Sequence, residues 1–160
     1  MNQGIVDRVK ALVPDSVLSS EEFRGDLTIR VDRHALVRVC EALKSDPDLA
    51  FAMVIDITAV DRYTPDERFE VVYHLYSLEH KRYVRIKVRV EEQDPVVPTV
   101  TGVWAGANWH ERETFDMFGI KFSGHPDLRR LYMPEEFEYH PLRKDFPLMG
   151  IPDSLPLPRR

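Results

Sequence analysis

The chain has 160 residues, of which 43% are hydrophobic and 31% charged, the balance of one globular domain long enough to bury a core. Its net charge of −5 argues against a nucleic-acid backbone or an anionic membrane as the main partner, because both reward a basic face. The one cysteine, Cys40, excludes an internal disulfide and a four-thiolate iron–sulfur cluster.

Residues 3–13 read as a helix, with Ile5, Val6, Val9, Leu12 and Val13 at helical spacing and Pro14 ending it. Its opening residues lack the basic-then-apolar pattern of a signal peptide, so a cytosolic, reduced setting is expected. Two short strands follow, Ser16 to Phe23 and Leu27 to Val31, turning at Gly25-Asp26. Asp32 can cap a second helix running to about Lys44, with Leu36, Val39, Cys40 and Leu43 on one face, which makes Cys40 a buried, inert thiol. Leu49 to Ile57 reads as a buried strand, and its longest apolar run, Leu49 to Ile55, is far too short to span a bilayer.

The next two strands alternate clearly. Phe69, Val71, Tyr73 and Leu75 face one way, and Glu70, Val72, His74 and Tyr76 the other. Val84, Ile86, Val88 and Val90 alternate with Arg85, Lys87 and Arg89. That basic row reads as a solvated sheet face balanced by Glu70 rather than as an anion-binding strip. Pro95 and Pro98 break the pattern, Thr99 can cap a short helical stretch through Val103, Trp104 and Ala105, and Gly102 and Gly106 would allow a close backbone approach.

The densest chemistry lies in the run from Asn108 to Gly119. Five ionisable side chains occupy the seven positions from His110 to Asp116. Asn108 and Glu111 have capping-box spacing, Gly119 can close the helix in the left-handed conformation, and Arg112 and Asp116 can pair four apart. Glu111, Glu113, Asp116 and Asp127 are acid–base candidates by type, but the nearby Arg112, Arg129 and Arg130 favour paired, ionised carboxylates. His110, Glu113 and His125 could form a metal-dependent hydrolase site. The second histidine of H-E-x-x-H is missing, however, since position 114 is Thr, and caps and ion pairs are the plainer account. Neither a nucleophile elbow nor a nucleotide-binding glycine loop occurs. His125-Pro126 and His140-Pro141 each precede leucine and arginine, as ordinary turns or as anchors for a partner.

Residues 134–160 hold Pro134, Pro141, Pro147, Pro152, Pro156 and Pro158, a density no helix or central strand survives. They also carry Phe137, Tyr139, Leu142, Phe146, Leu148, Met149, Ile151, Leu155 and Leu157. Such a segment folds over its own core or lies on another protein. The expected fold is a two-layer α+β sandwich: a mixed or antiparallel sheet with helices on one face in residues 1–131, and an extended proline-rich arm in 132–160.

Glu111-Arg112-Glu113, Asp116, Met117-Phe118-Gly119 and the block Gly124-His125-Pro126-Asp127-Leu128-Arg129-Arg130 resemble the signature of the C-type subunit of NADH–quinone oxidoreductase, the thirty-kilodalton-type subunit of respiratory complex I. The tail from His140 to Pro147 and the entry from Pro95 to Trp109 also match that family. The resemblance implies a peripheral-arm subunit, with no catalytic residue and no cofactor or metal of its own. It would lie against the larger D-type subunit, which helps form the quinone site, on the cytoplasmic face of the bacterial inner membrane. The complex as a whole uses FMN, iron–sulfur clusters and quinone and couples NADH oxidation to proton translocation. Related subunits occur in membrane-bound hydrogenases. On this reading Glu111, Arg112, Glu113, Asp116, Gly119, His125, Pro126 and Asp127 hold the helix and arm in register. Arg129, Arg130, His140, Arg143 and Lys144 would meet polar and acidic groups of the partner, and Phe137, Tyr139 and Phe146 would fill its pockets. The rivals are the metal-dependent hydrolase and a free-standing binding module.

Overall fold

The computed structural model of the chain describes residues 2–150, so the apolar groups Ile151, Leu155 and Leu157 and the prolines Pro152, Pro156 and Pro158 lie outside the described residues. The elements run α1 (Asn2–Leu12), β1 (Val17–Phe23), β2 (Asp26–Val31), α2 (Leu36–Ser45), β3 (Met53–Asp61), β4 (Phe69–Ser77), β5 (Arg82–Val90), β6 (Val96–Pro98), α3 (Ala107–Phe118) and β7 (Lys121–Ser123). Five strands form a mixed sheet in the order β1-β2-β5-β4-β3, with only β2 and β5 parallel, and β6 pairs with β7 in parallel beside it. This is the expected α+β arrangement.

Alternation decides which face of the sheet meets the helices. Leu27, Ile29 and Val31, then Val71, Tyr73 and Leu75, then Val84, Ile86 and Val88 are all buried in one core. Ile5, Val6 and Val9 of α1, and Leu36, Val39, Cys40 and Leu43 of α2, supply its other layer. Cys40 is fully buried as expected, and burial raises its thiol far above the ordinary value. The β1–β2 turn is Arg24-Gly25, one residue earlier than expected, with φ of 52° and 91°. This pair of left-handed residues matches the twist of the strands it joins.

The outer face of the sheet is charged and internally balanced, as the alternation implied. Glu70 is buried there and holds Lys87 Nζ at 3.0 Å, Arg89 Nε at 3.0 Å and Arg62 Nη2 at 2.7 Å. Burial alone would raise its carboxyl, but these three cations bring it down to about 2.

Three local expectations fail for tertiary reasons. The apolar run from Leu49 does not start a strand. Ala50 sits at φ 48°, Phe51 N–H donates back to the Leu43 carbonyl at 2.8 Å, and β3 begins at Met53 and runs on to Asp61. Leu49 and Phe51 instead plug the core beneath the end of α2. Asp32 does not cap α2. Its carboxylate accepts from His34 N–H at 2.8 Å in a turn, and α2 starts after Ala35 with no side-chain cap. Gly102 and Gly106 mark no close backbone approach: a Cβ added at Gly102 would meet nothing within 4 Å, and one at Gly106 only Val54 Cγ1 at 3.8 Å.

After β7 the described chain has no further helix or strand. It proceeds by tight turns, with Phe137 N–H donating to the Pro134 carbonyl, Arg143 to His140, Phe146 to Arg143 and Gly150 to Pro147. Among the described residues no helix is long and apolar enough to cross a membrane.

The reassignment of Leu49–Phe51 has an energetic signature. Phe51→Ala should cost about 3–5 kcal/mol of unfolding free energy in urea denaturation, and Met53→Ala, at an exposed position, less than about 1 kcal/mol.

Candidate functional site

Helix α3 lies along β3, where Thr114 Oγ1 donates to the Ile57 carbonyl at 3.1 Å and Ala107 is fully buried. This leaves Asp116, on the far turn, to receive the chain that follows β7. Its carboxylate is completely buried, and Oδ2 accepts the main-chain N–H groups of Leu131, Tyr132 and Met133 at 3.0, 2.6 and 3.1 Å. Oδ1 pairs with Arg130 Nε at 2.9 Å. One turn back, Arg112 grips the opposite polarity of the same segment: its Nε donates to the Arg129 carbonyl at 3.0 Å and Nη2 to that of Arg130 at 3.3 Å. Its guanidinium also stacks 5.0 Å from the Trp109 ring. The expected Arg112–Asp116 pair therefore does not form. Spacing put the two on one face, and each found a stronger partner in the arm.

The helix start also departs from expectation. Gly106 occupies the N-cap with no side-chain bond, Asn108 lies inside the helix, and there is no capping box. Glu111, freed from that role, turns into the core. Its Oε1 accepts Val100 N–H at 2.8 Å and its Oε2 accepts Thr99 Oγ1–H at 2.5 Å. Thr99 in turn accepts from Thr101 N–H at 3.2 Å, capping a single turn through Val103 and Trp104. Among the described residues Glu111 has no arginine or lysine partner, contrary to the expectation of paired carboxylates. Burial pushes its carboxyl up to about 7 against the opposing Thr99 and Val100 bonds. His125 Nε2 is 3.9 Å away. That ring donates to the Asn108 carbonyl at 3.2 Å, while its Nδ1 accepts Asp127 N–H at 3.0 Å, the pattern of a neutral imidazole carrying its proton on Nε2. Asp127 completes the loop by holding Arg129 through two 2.7 Å bonds.

Gly119 closes α3 in the left-handed conformation, as expected, with φ 75°. It also makes room for the arm, because a Cβ there would stand 2.5 Å from His140 Nε2 and 2.6 Å from Arg143 Nη2. His140 Nδ1 lies 3.1 Å from Arg130 Nη2. Burial lowers this imidazole, with Arg143 and Arg130 adding to the effect against the Asp116 carbonyl. Arg143 Nε donates to the Phe118 carbonyl at 2.6 Å, and its guanidinium lies 4.9 Å from the Phe69 ring.

A second clasp, which no sequence motif marks, holds the arm further on. Asp61 and Arg68 form a buried ion pair at 2.8 Å where β3 passes to β4. Asp61 Oδ2 accepts Lys144 N–H at 2.8 Å, and Arg68 Nη1 meets Asp145 at 3.0 Å. Burial would raise Asp61, but Arg68 and the Lys144 and Tyr63 N–H groups bring it down to about 2. Nothing in the spacing of residues 61, 68 and 144 announces this contact. Phe137, Tyr139 and Phe146 form a ring cluster with centroids 5.7 to 6.5 Å apart. The side chain of Lys144 is exposed.

The trio of the hydrolase alternative is not brought together. His110 Nδ1 turns to Asp56 at 3.3 Å, His125 lies by Glu111, and Glu113 is exposed. Among the described residues no group of three or more His, Cys, Asp or Glu could hold a metal ion. The arrangement is that of a scaffold pinning a loop-rich arm.

The family model of the respiratory-chain NADH dehydrogenase 30 kDa subunit matches residues 29–152. The chain belongs to that family. The NADH-quinone oxidoreductase C-type subunit of Roseiflexus sp. (strain RS-1) is 50% identical over 147 residues, which is 92% of this chain and 84% of its own. A C-type subunit of the same enzyme from Rhizobium meliloti (strain 1021) is 56% identical over 131 residues, 82% of this chain and 71% of its own. Among solved structures, the trypsin-resistant fragment of Nqo5 superposes with a TM-score of 0.63 at 31% identity, covering 80% of this chain and 100% of its own. A chain of the archaeal membrane-bound sulfane sulfur reductase gives 0.77 at 25% identity, covering 92% and 86%. The sequence resemblance and the fold thus agree, and within this chain Arg112 and Asp116 grip residues 129–133 while Gly119 leaves space for His140 and Arg143.

Asp116→Ala strands three N–H groups and the Arg130 charge, and should cost about 3–5 kcal/mol in urea denaturation, with faster proteolysis between residues 131 and 150. Glu111 gives a pH signature. Its folded value, about 7, exceeds the ordinary 4.5, so its contribution is fully present below the lower value and is lost as pH rises through the upper one. Thermal melts should therefore show Glu111→Gln flattening the decline between about pH 5 and pH 8 and raising the midpoint at the alkaline end.

Proposed function

We propose that this family member serves as a peripheral-arm subunit of a proton-pumping NADH:quinone oxidoreductase, docking through its C-terminal arm on the larger D-type subunit, which helps form the quinone site. It contributes position rather than redox chemistry. FMN, iron–sulfur clusters and quinone belong to other subunits, and the chain reaches the cytoplasmic face of the inner membrane through them. The observation that carries this reading is the condition of the arm. Its backbone is fixed at Asp116, Gly119 and Asp61, yet Leu148 and Met149 are 100% and 95% exposed, and Tyr139 and Leu142 are also exposed. An ordered segment with uncovered apolar side chains is suited to being completed by a neighbour at little ordering cost. On the same reading residues 1–131 are the folding unit, residues 132–160 are the docking arm, and Phe137, Tyr139, Lys144 and Phe146 contribute to the contact.

A second reading, the counterpart in a related membrane-bound complex such as a hydrogenase, is supported by the fold likeness to the archaeal sulfane sulfur reductase chain. The partners that co-purify from native membranes distinguish the two.

The test is the double variant Leu148→Asp, Met149→Asp. The isolated chain should keep its circular dichroism and thermal midpoint, because neither side chain is covered by the body. Incorporation into the membrane-associated complex, read on native gels, should fall about tenfold or more, since each buried apolar side chain is worth about 1.5–3 kcal/mol. Full incorporation would remove the arm from the interface.

A further inference from the structure

Most of the charges left uncommitted around the arm are acidic, with Lys121 and Lys144 the exceptions among the described residues. Glu135, Glu136 and Glu138 are exposed and have no ion-pair partner among the described residues. Of the cations expected to reach a partner, the three arginines are engaged within the chain, Arg129 on Asp127, Arg130 on Asp116 and Arg143 on the Phe118 carbonyl, while the Lys144 side chain is exposed and makes no ion pair among the described residues. Glu135 adds to the field at Arg129, but Asp127 already occupies that guanidinium.

Glu135 and Glu138 line a cleft of about 400 Å³ between the end of α3 and the arm, with Glu136 adjacent in sequence. Phe115, Leu128 and Phe137 line it, with Lys121, Glu135 and Glu138 among its polar groups. Arg130 also lines it. Its side chain is only 9% exposed, it stacks 5.6 Å from the Phe137 ring, and its Nη1 has no hydrogen-bond partner among the described residues. The cleft therefore combines apolar walls with a rim whose unpaired charge is mostly negative.

We infer that this cleft receives an apolar side chain from a basic segment of a neighbouring protein in the complex. That segment's lysines or arginines meet Glu135, Glu136 and Glu138. The inference rests on the subunit reading above and fixes the chemistry of the partner. An acidic segment would face three like charges and find the nearby arginines occupied, an arrangement that costs affinity and slows encounter. A basic one is steered to the cleft and shields the carboxylates once seated.

The test compares three full-length variants for incorporation into the complex: Glu135→Lys with Glu136→Lys and Glu138→Lys, the same three positions changed to Gln, and Lys121→Glu. Circular dichroism and thermal midpoint of the isolated chains serve as folding controls. The triple lysine variant should lower incorporation about tenfold, the triple glutamine variant less, and Lys121→Glu should not lower it. Carbodiimide coupling in the purified wild-type complex should join at least one of these glutamates to a lysine of another protein when the basic segment carries one there. Wild-type incorporation of the triple lysine variant overturns the inference, as does a loss with Lys121→Glu matching that of the lysine variant. If the wild-type chain does not enter the complex at all, it is the subunit reading that fails.

Discussion

The structure turns on one buried carboxylate. Asp116 has no access to water, so its charge must be met within the protein, and three consecutive N–H groups with Arg130 meet it. An N–H triplet can be presented only by a backbone bent around the oxygen, and this dictates the path of residues 131–133. Arg112, one turn away, takes the carbonyls of residues 129 and 130. The same helix thus holds donors and acceptors of adjacent peptide units, which fixes the segment in both position and direction. Asp61 repeats the device at the other end of the arm, with Arg68 as counter-ion and Lys144 N–H as the captured donor.

Glu111 shows what a carboxylate becomes on the same helix without a cation. Five residues before Asp116, it is equally buried, but it receives only a hydroxyl and one N–H, and its affinity for a proton rises accordingly. Both are buried carboxylates of one helix, but five residues place them roughly 140° apart around its axis, facing different parts of the chain. The arm separates them, because it supplies the charge and the N–H triplet at one site and passes the other by. His125, neutral and enclosed at 3.9 Å, leaves that difference intact.

Much of the fold was legible because period-two alternation survives folding. Residues 69–76 and 84–90 place every alternate side chain where the pattern requires, and Glu70 balances the basic row across the ladder. Gly119 was legible because only the left-handed conformation closes such a helix end cheaply. What failed was every pairing inferred from local spacing against tertiary competition. Leu49 to Phe51 is apolar enough for a strand, but the helix end captured it. Asn108 with Glu111, and Arg112 with Asp116, have correct helical offsets, and each lost to a partner far along the chain. The Asp61–Arg68 clasp had no local signal, since its purpose is defined by residues more than seventy positions later.

The same accounting of charge bears on recognition. A chain that binds through arginines must leave them uncommitted, and here the arginines nearest the arm are spent on building it. Their forked geometry suits the carbonyls and carboxylates they grip, which is why they serve the scaffold better than a surface would use them. The residual charge on the arm is mostly that of three glutamates, which outnumber the exposed Lys144 and, like it, make no ion pairs among the described residues. Because the backbone beneath them is pinned at both ends, those carboxylates and the aromatic groups between them occupy defined positions before any partner arrives. Affinity then depends on complementarity of sign and shape, not on ordering the arm.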